Sequence, residues 1–167
     1  MYEIITIFYK EWFLNSFMPN FQIDLSVPTN SKKLFELAID FENFKKFSPA
    51  QIKDISIIEK SNDVITTEEI LTFKTILKDI EIKQKTKHTI NYPVLISNVI
   101  EGPFKNTNLS IEFIEEESIK TKVSINADVK ISLKYSMLSP VISRLYKGIV
   151  TGLIYKMTNS ILRNDIT

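Results

Sequence analysis

The spacing of apolar residues changes at Ser139. Between Ile52 and Ile131 apolar and polar residues alternate, as they do along β-strands, whereas from Ser139 to about Arg163 apolar residues recur every three or four positions. A chain with several strands followed by one long helix must cover the apolar side of that helix with its own sheet. The sequence therefore predicts a sheet that grips a C-terminal helix.

The C-terminal helix has a defined start and one apolar face. Ser139 is a favourable N-cap, and Pro140 suits the first helical position because its missing N–H would have no partner there. Arg144, Lys147 and Lys156 interrupt the apolar run well before the ~20 residues that a bilayer requires. We therefore expect the helix to pack on the sheet through Ile142, Leu145, Ile149, Leu153, Met157 and Ile161.

The composition excludes several classes of function. The 167 residues are 44% hydrophobic and 25% charged, which is typical of one globular domain. The net charge is +1, from 21 basic and 20 acidic residues, so the charge balance does not predict nucleic-acid binding. The chain contains no Cys, which excludes disulfides, thiolate catalysis and the common structural zinc sites, and fits a cytoplasmic location.

Residues 1–19 form an apolar N-terminal extension that precedes the regular pattern. Three interpretations are open: a helix docked on the domain, a start codon placed too early with Met18 as the true start, or an interfacial membrane anchor. The regular alternation begins at Phe21, and Pro28 ends the first strand. We therefore divide the chain into an extension at 1–19 and a ligand-binding domain at 20–165.

Two short helices and six further strands are predicted after the first strand. Thr29, Asn30 and Ser31 can cap the first of these helices, and the second ends before Pro49. The strands are expected at about 52–59, 64–77, 80–90, 94–100, 109–115 and 119–131. The connections between them are short, which favours antiparallel pairing of consecutive strands.

This order of elements resembles the helix-grip fold of the START-like superfamily, also called SRPBCC. The resemblance extends from about Phe21 to Arg163. Several short segments are similar to the polyketide cyclase and coenzyme-Q-binding branch: Val27-Pro28, Leu34-Phe35, Asp40-Phe41-Glu42-Asn43-Phe44, Phe47-Ser48-Pro49, Glu101-Gly102-Pro103-Phe104 and Ser139-Pro140. The resemblance implies an α+β fold in which a curved antiparallel seven-stranded sheet surrounds the long C-terminal helix, with a cavity between them for a hydrophobic or amphipathic ligand.

The strand at 80–90 places polar residues on the side that should face this cavity. Its other side is charged and must face solvent, with Glu81, Lys83, Lys85 and Lys87. Gln84, Thr86 and His88 then point inward, where burying each without a partner would cost about 1–3 kcal/mol. Either a polar ligand head or water satisfies them, or they bond each other, or this end of the strand is exposed. Glu69 on the preceding strand also occupies a position whose side chain should face inward.

The remaining candidate cavity residues are apolar and would serve equally well in an ordinary core. They are Leu109, Ile111, Phe113, Val123 and Ile125 on the strands, and Leu145, Ile149, Leu153 and Met157 on the helix. Gly148 and Gly152 lie on one face of that helix, and their lack of side-chain bulk predicts close approach of a strand or of a ligand.

The sequence offers little for catalysis. His88 is the only imidazole, no nucleophile elbow accompanies it, and the three glycines form no phosphate-binding loop. We therefore predict no catalytic residue, metal site or cofactor, although His88 could act as an acid or base in a cyclase-like reaction. A strip of lysines on neighbouring strands is either a solvated face or a contact for anionic lipid headgroups: Lys74, Lys78, Lys83, Lys85 and Lys87.

These observations favour a non-enzymatic module that binds or transports a hydrophobic small molecule, such as a lipid, a quinone or a polyketide-like compound. Two alternatives remain open at this point: an enzyme of the polyketide cyclase or aromatase type, and a protein-interaction module of the cochaperone type with a filled cavity. The expected partners are a hydrophobic small molecule and, transiently, a membrane surface, but not nucleic acid. The sequence does not determine the oligomeric state.

Overall fold

The described part of the chain forms seven strands and three α-helices. The structure is a computed structural model that describes residues 20–74, 79–117 and 119–164, so the N-terminal extension and Lys78 lie outside the described residues. The strands are β1 Asn20–Val27, β2 Ile52–Ser61, β3 Val64–Lys74, β4 Asp79–Asn91, β5 Val94–Glu101, β6 Asn108–Glu117 and β7 Lys120–Asp128. The helices are α1 Ser31–Ala38, α2 Phe44–Phe47 and α3 Ser139–Asn164, with 3-10 turns at Phe41–Asn43 and Leu133–Leu138.

All seven strands form one antiparallel sheet in the order β1-β7-β6-β5-β4-β3-β2. Consecutive strands from β2 to β7 are neighbours, as the short turns predict. The first strand instead pairs with the last, with Ile23 opposite Ile125, so β1 and β2 form the two edges. The predicted α+β helix-grip fold, with a curved sheet around a long C-terminal helix and short helices after the first strand, is confirmed.

The first short helix, α1, begins at a side-chain cap. The Asn30 Oδ1 accepts hydrogen bonds from the backbone N–H groups of Lys32 and Lys33 at 3.0 and 3.1 Å, which satisfies two N–H groups at the start of α1. This helix buries Leu34 and Phe35 against the sheet. The 3-10 turn that follows buries Phe41, whose side chain is 1% exposed, over the middle strands.

The long helix α3 begins at the predicted residue but is not capped as predicted. Ser139 already has helical dihedral angles, with φ −47° and ψ −49°, because the 3-10 turn at Leu133–Leu138 runs directly into the helix. An N-cap requires an extended backbone, so Ser139 does not have that role. None of the described helices is both long enough and apolar enough to cross a membrane.

The apolar face of α3 is wider than the predicted stripe. Ile142, Met157 and Ile161 are buried, as are Val150 and Ile154. Three predicted members of the stripe are only half-buried: Leu145, Ile149 and Leu153. The half-buried positions indicate that the sheet does not close completely over this side of the helix.

The predicted close approach of a strand at the two helix glycines is not found among the described residues, and the alternative of a close ligand stays a prediction. Gly148 is exposed and Gly152 is half-buried. A Cβ added at either position would meet no atom of the described chain within 4 Å. Among the described residues, therefore, neither strand packing nor a narrow cavity wall explains these glycines.

Candidate functional site

A cavity of about 120 Å³ lies between the concave face of the sheet and helix α3. The 3-10 turn and α2 close it on one side, and β2 borders it on another. Most of its lining is apolar: Ala38, Phe41, Phe44, Ile52, Ile55, Leu71, Leu95, Leu109, Ile111, Tyr146, Ile149, Val150, Leu153, Ile154 and Met157. Apart from the hydroxyl of Tyr146 on α3, the polar groups come from the three adjacent strands β3, β4 and β5: Glu69, Gln84, Thr86, His88 and Ser97.

Eight of the twelve residues predicted from the sequence line this cavity: Gln84, Thr86, His88, Leu109, Ile111, Ile149, Leu153 and Met157. The other four lie elsewhere in the core. Phe113, Val123 and Ile125 are buried in the main hydrophobic cluster, where Phe113 packs edge-on against Phe35 with ring centroids 5.5 Å apart. Leu145 packs against a second cluster that contains Phe73, Phe104 and Ile142.

Several lining residues were absent from the predicted set. Phe41 and Phe44 come from the short helices, whose position over the sheet no periodicity reveals. Ser97 could have been predicted from the sequence, because it lies on the same face of β5 as the apolar residues Leu95 and Val99, and all three are buried. Tyr146 lies beside Leu145 on α3, and only the observed rotation of the helix brings its ring to the cavity.

The buried polar groups are neighbours across adjacent strands. Glu69 is directly opposite Gln84, and His88 is directly opposite Ser97. Because side chains two residues apart share one face of a strand, Thr86 also lies on this face beside Gln84. Thr67 is opposite Thr86, and all of these side chains on β3 and β4 are buried.

The Glu69 carboxylate is the acceptor at the centre of this group. Its Oε1 accepts from the Thr67 hydroxyl at 2.7 Å. Its Oε2 accepts from the Gln84 amide nitrogen at 2.6 Å and from the Thr86 hydroxyl at 3.1 Å. The predicted inward polar residues therefore bond each other, which was one of the alternatives that the sequence left open, and they also line the cavity.

The hydrogen bonds define the protonated nitrogen of His88. The Thr67 hydroxyl has a single hydrogen, which it donates to Glu69, so its oxygen must accept at its 2.9 Å contact with His88 Nε2. His88 therefore carries a proton on Nε2. Its Nδ1 lies 2.8 Å from the Ser97 hydroxyl and accepts from it when the ring is neutral. Both ring nitrogens are thus engaged within the protein.

The pKa of Glu69 is lowered in the folded protein. Burial alone would raise it, but the hydrogen bond and the charge of His88 outweigh that effect, with further contributions from the hydrogen bonds of Thr67 and Gln84. The His88 Nε2 lies 3.6 Å from the Glu69 Oε1. The polar floor of the cavity, formed by Glu69, Gln84, Thr86, His88 and Ser97, therefore contains an ionised Glu69 next to the His88 ring.

Two polar atoms of the lining residues have no hydrogen-bond partner within the described chain. One is the side-chain oxygen of Gln84, a residue that is 4% exposed. Because the amide nitrogen of Gln84 must face the Glu69 carboxylate, its oxygen is directed away from that acceptor. The other is the hydroxyl of Tyr146, whose ring contacts Phe21 and Phe104.

Tyr146 is held in its neutral form. Burial raises the pKa of its hydroxyl, and the nearby charge of Glu69 raises it further. The phenol therefore remains a hydrogen-bond donor throughout the physiological range. Tyr146 is on the helical wall and Glu69 on the sheet, so the two groups approach the cavity from facing sides.

The site has no metal-binding arrangement among the residues that the structure describes. Those residues contain no group of three or more His, Asp or Glu side chains that could hold an ion. The lining set contains neither Lys nor Arg. The site is therefore an apolar cavity with one hydrogen-bonded polar floor that contains the ionised Glu69.

The lysine strip on the outer face of the sheet is partly neutralised. Lys83 lies 2.8 Å from a Glu68 oxygen, and Lys85 lies 2.9 Å from a Glu101 oxygen. Exposed pairs of this kind contribute little to stability. They do reduce the positive charge that this face would offer to an anionic surface.

Solved structures of the same architecture cover most of this chain. The protein TTHA0849 from Thermus thermophilus superposes with a TM-score of 0.73 at 13% identity, over 87% of this chain and 99% of that one. The Zhui aromatase/cyclase from Streptomyces sp. R1128 gives 0.71 at 9% identity, over 87% and 94%. A START superfamily protein from Mycobacterium smegmatis gives 0.63 at 14% identity, over 86% and 97%.

No family model and no curated protein matches the sequence. The likeness to solved structures therefore shows the fold, since identities of 9–14% do not carry function from one protein to another. The fold is the START-like helix grip, as the sequence resemblance predicts. The chain has this fold, with an internal cavity between its sheet and its last helix.

Proposed function

We propose that the protein binds a hydrophobic small molecule in the cavity between the sheet and helix α3. The observation that carries this proposal is the cavity itself: about 120 Å³ of unfilled space with a largely apolar lining and a polar floor on one side. Protein interiors are normally packed without voids of this size, because each void removes van der Waals contacts. An apolar ligand would restore those contacts.

The energetics favour an amphipathic ligand with an apolar body. Burial of each CH₂ group of the ligand contributes about 0.8 kcal/mol. The polar floor would position the ligand's polar end, since Gln84 and Tyr146 both have hydrogen-bonding atoms without partners in the described chain. A lipid, a quinone or a polyketide-like compound could meet this description.

The cavity distinguishes this proposal from a protein-interaction module. A cochaperone-type domain with a filled cavity would need large side chains in this space. Here Ile149 and Leu153 on α3 face the cavity without filling it. The proposed function also needs no membrane surface, since the lysines expected to contact lipid headgroups are partly ion-paired on the opposite face of the sheet.

A cyclase-type reaction would require a group that exchanges protons with the ligand. His88 is poorly suited to that role, because both of its nitrogens are hydrogen-bonded to Thr67 and Ser97. Its ring is also covered by Phe41. We therefore favour binding or transport over catalysis.

The proposal can be tested by identifying what the purified protein carries. The protein is extracted with organic solvent and the extract is analysed by mass spectrometry, with the protein concentration measured independently. We expect a hydrophobic compound in near-stoichiometric amount, or, in protein freed of it, binding of an apolar fluorescent probe with displacement by apolar competitors.

A variant that fills the cavity provides the decisive comparison. Ile149→Trp should abolish ligand carriage and probe binding while the fold is retained, because the larger ring occupies the chamber. The matched control is Val141→Trp on the same helix, where the side chain is 46% exposed. Probe binding that is equal in both variants would refute the proposal.

A further inference from the structure

The cavity's charge, its unpartnered polar atoms and its size together restrict the chemistry of the ligand. We infer that the cavity selects an uncharged, ring-sized molecule that bears a hydroxyl group, and that it excludes carboxylates. This inference rests on the proposed binding function and deepens it.

The charge of the floor excludes anions. Glu69 is 8% exposed and accepts three hydrogen bonds, which stabilise its ionised form. The lining residues in the described chain include neither Lys nor Arg, and the two ring nitrogens of His88 already bond Thr67 and Ser97, so no cationic donor is available to a second anion. A carboxylate ligand would therefore lose its hydration near the Glu69 carboxylate, and a single neutral donor such as the Tyr146 hydroxyl would not offset that cost.

The surroundings of Glu69 also disfavour a cationic ligand. Thr67, Gln84 and Thr86 already donate to the carboxylate, and the His88 ring lies 3.6 Å from one of its oxygens. An ammonium group would have to displace one of these donors to reach the charge. An uncharged ligand requires no such rearrangement.

The two cavity atoms without a hydrogen-bond partner in the described chain determine which polar group the ligand should carry. The Tyr146 hydroxyl is a donor, and its neutral state is maintained by burial and by the Glu69 charge. The Gln84 oxygen is an acceptor. A hydroxyl group both accepts and donates, so it can satisfy the helical wall and the sheet wall at once, whereas a ketone, an ether or a hydrocarbon cannot.

The volume of the cavity limits the size of the ligand's apolar part. A dry apolar cavity of about 150 Å³ is enough to bind benzene. The present cavity, at about 120 Å³, therefore suits one ring, with any longer tail directed past the half-buried Phe44, Ile149 and Leu153. Multi-ring compounds would need the helix to move away from the sheet.

Matched single-ring probes test this inference: propylbenzene, 4-propylphenol, 4-propylbenzoate and 4-propylbenzylamine. Binding to ligand-free protein is measured by isothermal titration calorimetry at pH 7. We expect 4-propylphenol to bind about tenfold more tightly than propylbenzene, and both charged probes to bind more than tenfold more weakly than the phenol. Equal affinity of the phenol and propylbenzene, or tighter binding of either charged probe, would overturn the inference while leaving the binding function intact. Failure of all four probes to bind would overturn the binding function as well.

Two substitutions test whether Tyr146 and Glu69 cause the preference for an uncharged ligand with a hydroxyl group. Tyr146→Phe should reduce the phenol's affinity about tenfold and leave that of propylbenzene unchanged, because only the hydroxyl is removed. Glu69→Gln removes the charge and should bring 4-propylbenzoate to within a few-fold of the phenol. A Tyr146→Phe protein that retains the native preference for the phenol would contradict the role of Tyr146. The probe series on the unsubstituted protein tests the inference even if either variant fails to fold.

Discussion

The ring of Phe41 lies against the imidazole of His88, with the ring centroids 3.9 Å apart and the planes inclined by 24°. Phe41 belongs to the 3-10 turn between the short helices, and His88 belongs to strand β4. This contact therefore joins the helical segment that closes the cavity to the polar network that forms its floor. Both side chains are buried, at 1% and 5% exposed.

Replacing Phe41 by Leu should destabilise the protein and free the His88 ring. We expect the free energy of unfolding to fall by about 2 kcal/mol, because large-to-small substitutions in a core lose contacts and leave a void. Urea unfolding measures this effect. His88 is the only histidine, so its ring proton resonances are assigned without ambiguity, and they should move downfield when the Phe41 ring current is removed.

The control for this variant is Phe44→Leu. Phe44 packs against Phe41 at a centroid distance of 5.3 Å but is half-buried and does not cover His88. A smaller loss of stability and little change in the His88 resonances are expected. Equal shifts in the two variants would contradict the direct stacking contact.

Removing the Glu69 side chain should be strongly destabilising. In Glu69→Ala the hydrogen-bond donors of Gln84, Thr86 and Thr67 lose their acceptor inside the protein. Loss of buried partners of this kind costs about 3–5 kcal/mol, which chemical denaturation can measure. The neighbouring Glu68→Ala is a matched control, because Glu68 faces the outer side of the sheet and pairs with Lys83 near the surface. A similar loss in both variants would show that the buried network does not stabilise the fold.

The same carboxylate predicts how stability depends on pH. The pKa of Glu69 is lower in the folded than in the unfolded protein, so the folded state favours the ionised form. The resulting stabilisation is fully present above the unfolded carboxyl pKa of about 4.3 and is lost as the pH falls through the lower folded pKa. Unfolding free energies measured between about pH 3 and 6 should fall more steeply on the acid side for the native protein than for Glu69→Gln. Parallel curves would contradict an ionised Glu69 in the folded state.

Much of the fold could be predicted from the sequence because its periodicities are regular. The alternation along β4 correctly placed Gln84, Thr86 and His88 inside and Lys83 and Lys87 outside. Ser139 as the start of the long helix was also predicted, although its capping role was wrong. The spacing of apolar residues along a strand or helix determines which of its faces is apolar. The inward and outward sides of β4 depend on this local spacing and on no contact between distant residues.

The rest of the site depends on contacts between residues that are distant in the chain. Pairing of β1 with β7 brings Leu25 opposite Val123, at the other end of the sequence, and alternation within one strand does not select that partner. The same limit applies to Phe41, whose contact with His88 depends on how the short helices dock. Apolar spacing also could not separate Phe113, in the core, from Ile111, at the cavity, because the two lie on one face of β6.

The glycines of α3 provide a prediction opposite to the one that their spacing first suggested. A Cβ at Gly148 or Gly152 would meet no described atom within 4 Å, and alanine is favoured over glycine in a helix by about 1 kcal/mol. Gly148→Ala and Gly152→Ala should therefore each stabilise the protein, raising the melting temperature by roughly 2–4 °C. At Gly102 the same change should destabilise, because φ is +107° and the added Cβ would lie 2.7 Å from the Lys83 carbonyl oxygen and 2.8 Å from the Gln84 Cβ. Thermal unfolding of the three variants compares these sites directly. Destabilisation by alanine at Gly148 or Gly152 would show that a part of the chain beyond the described residues, or a second molecule, packs closely on this side of the helix.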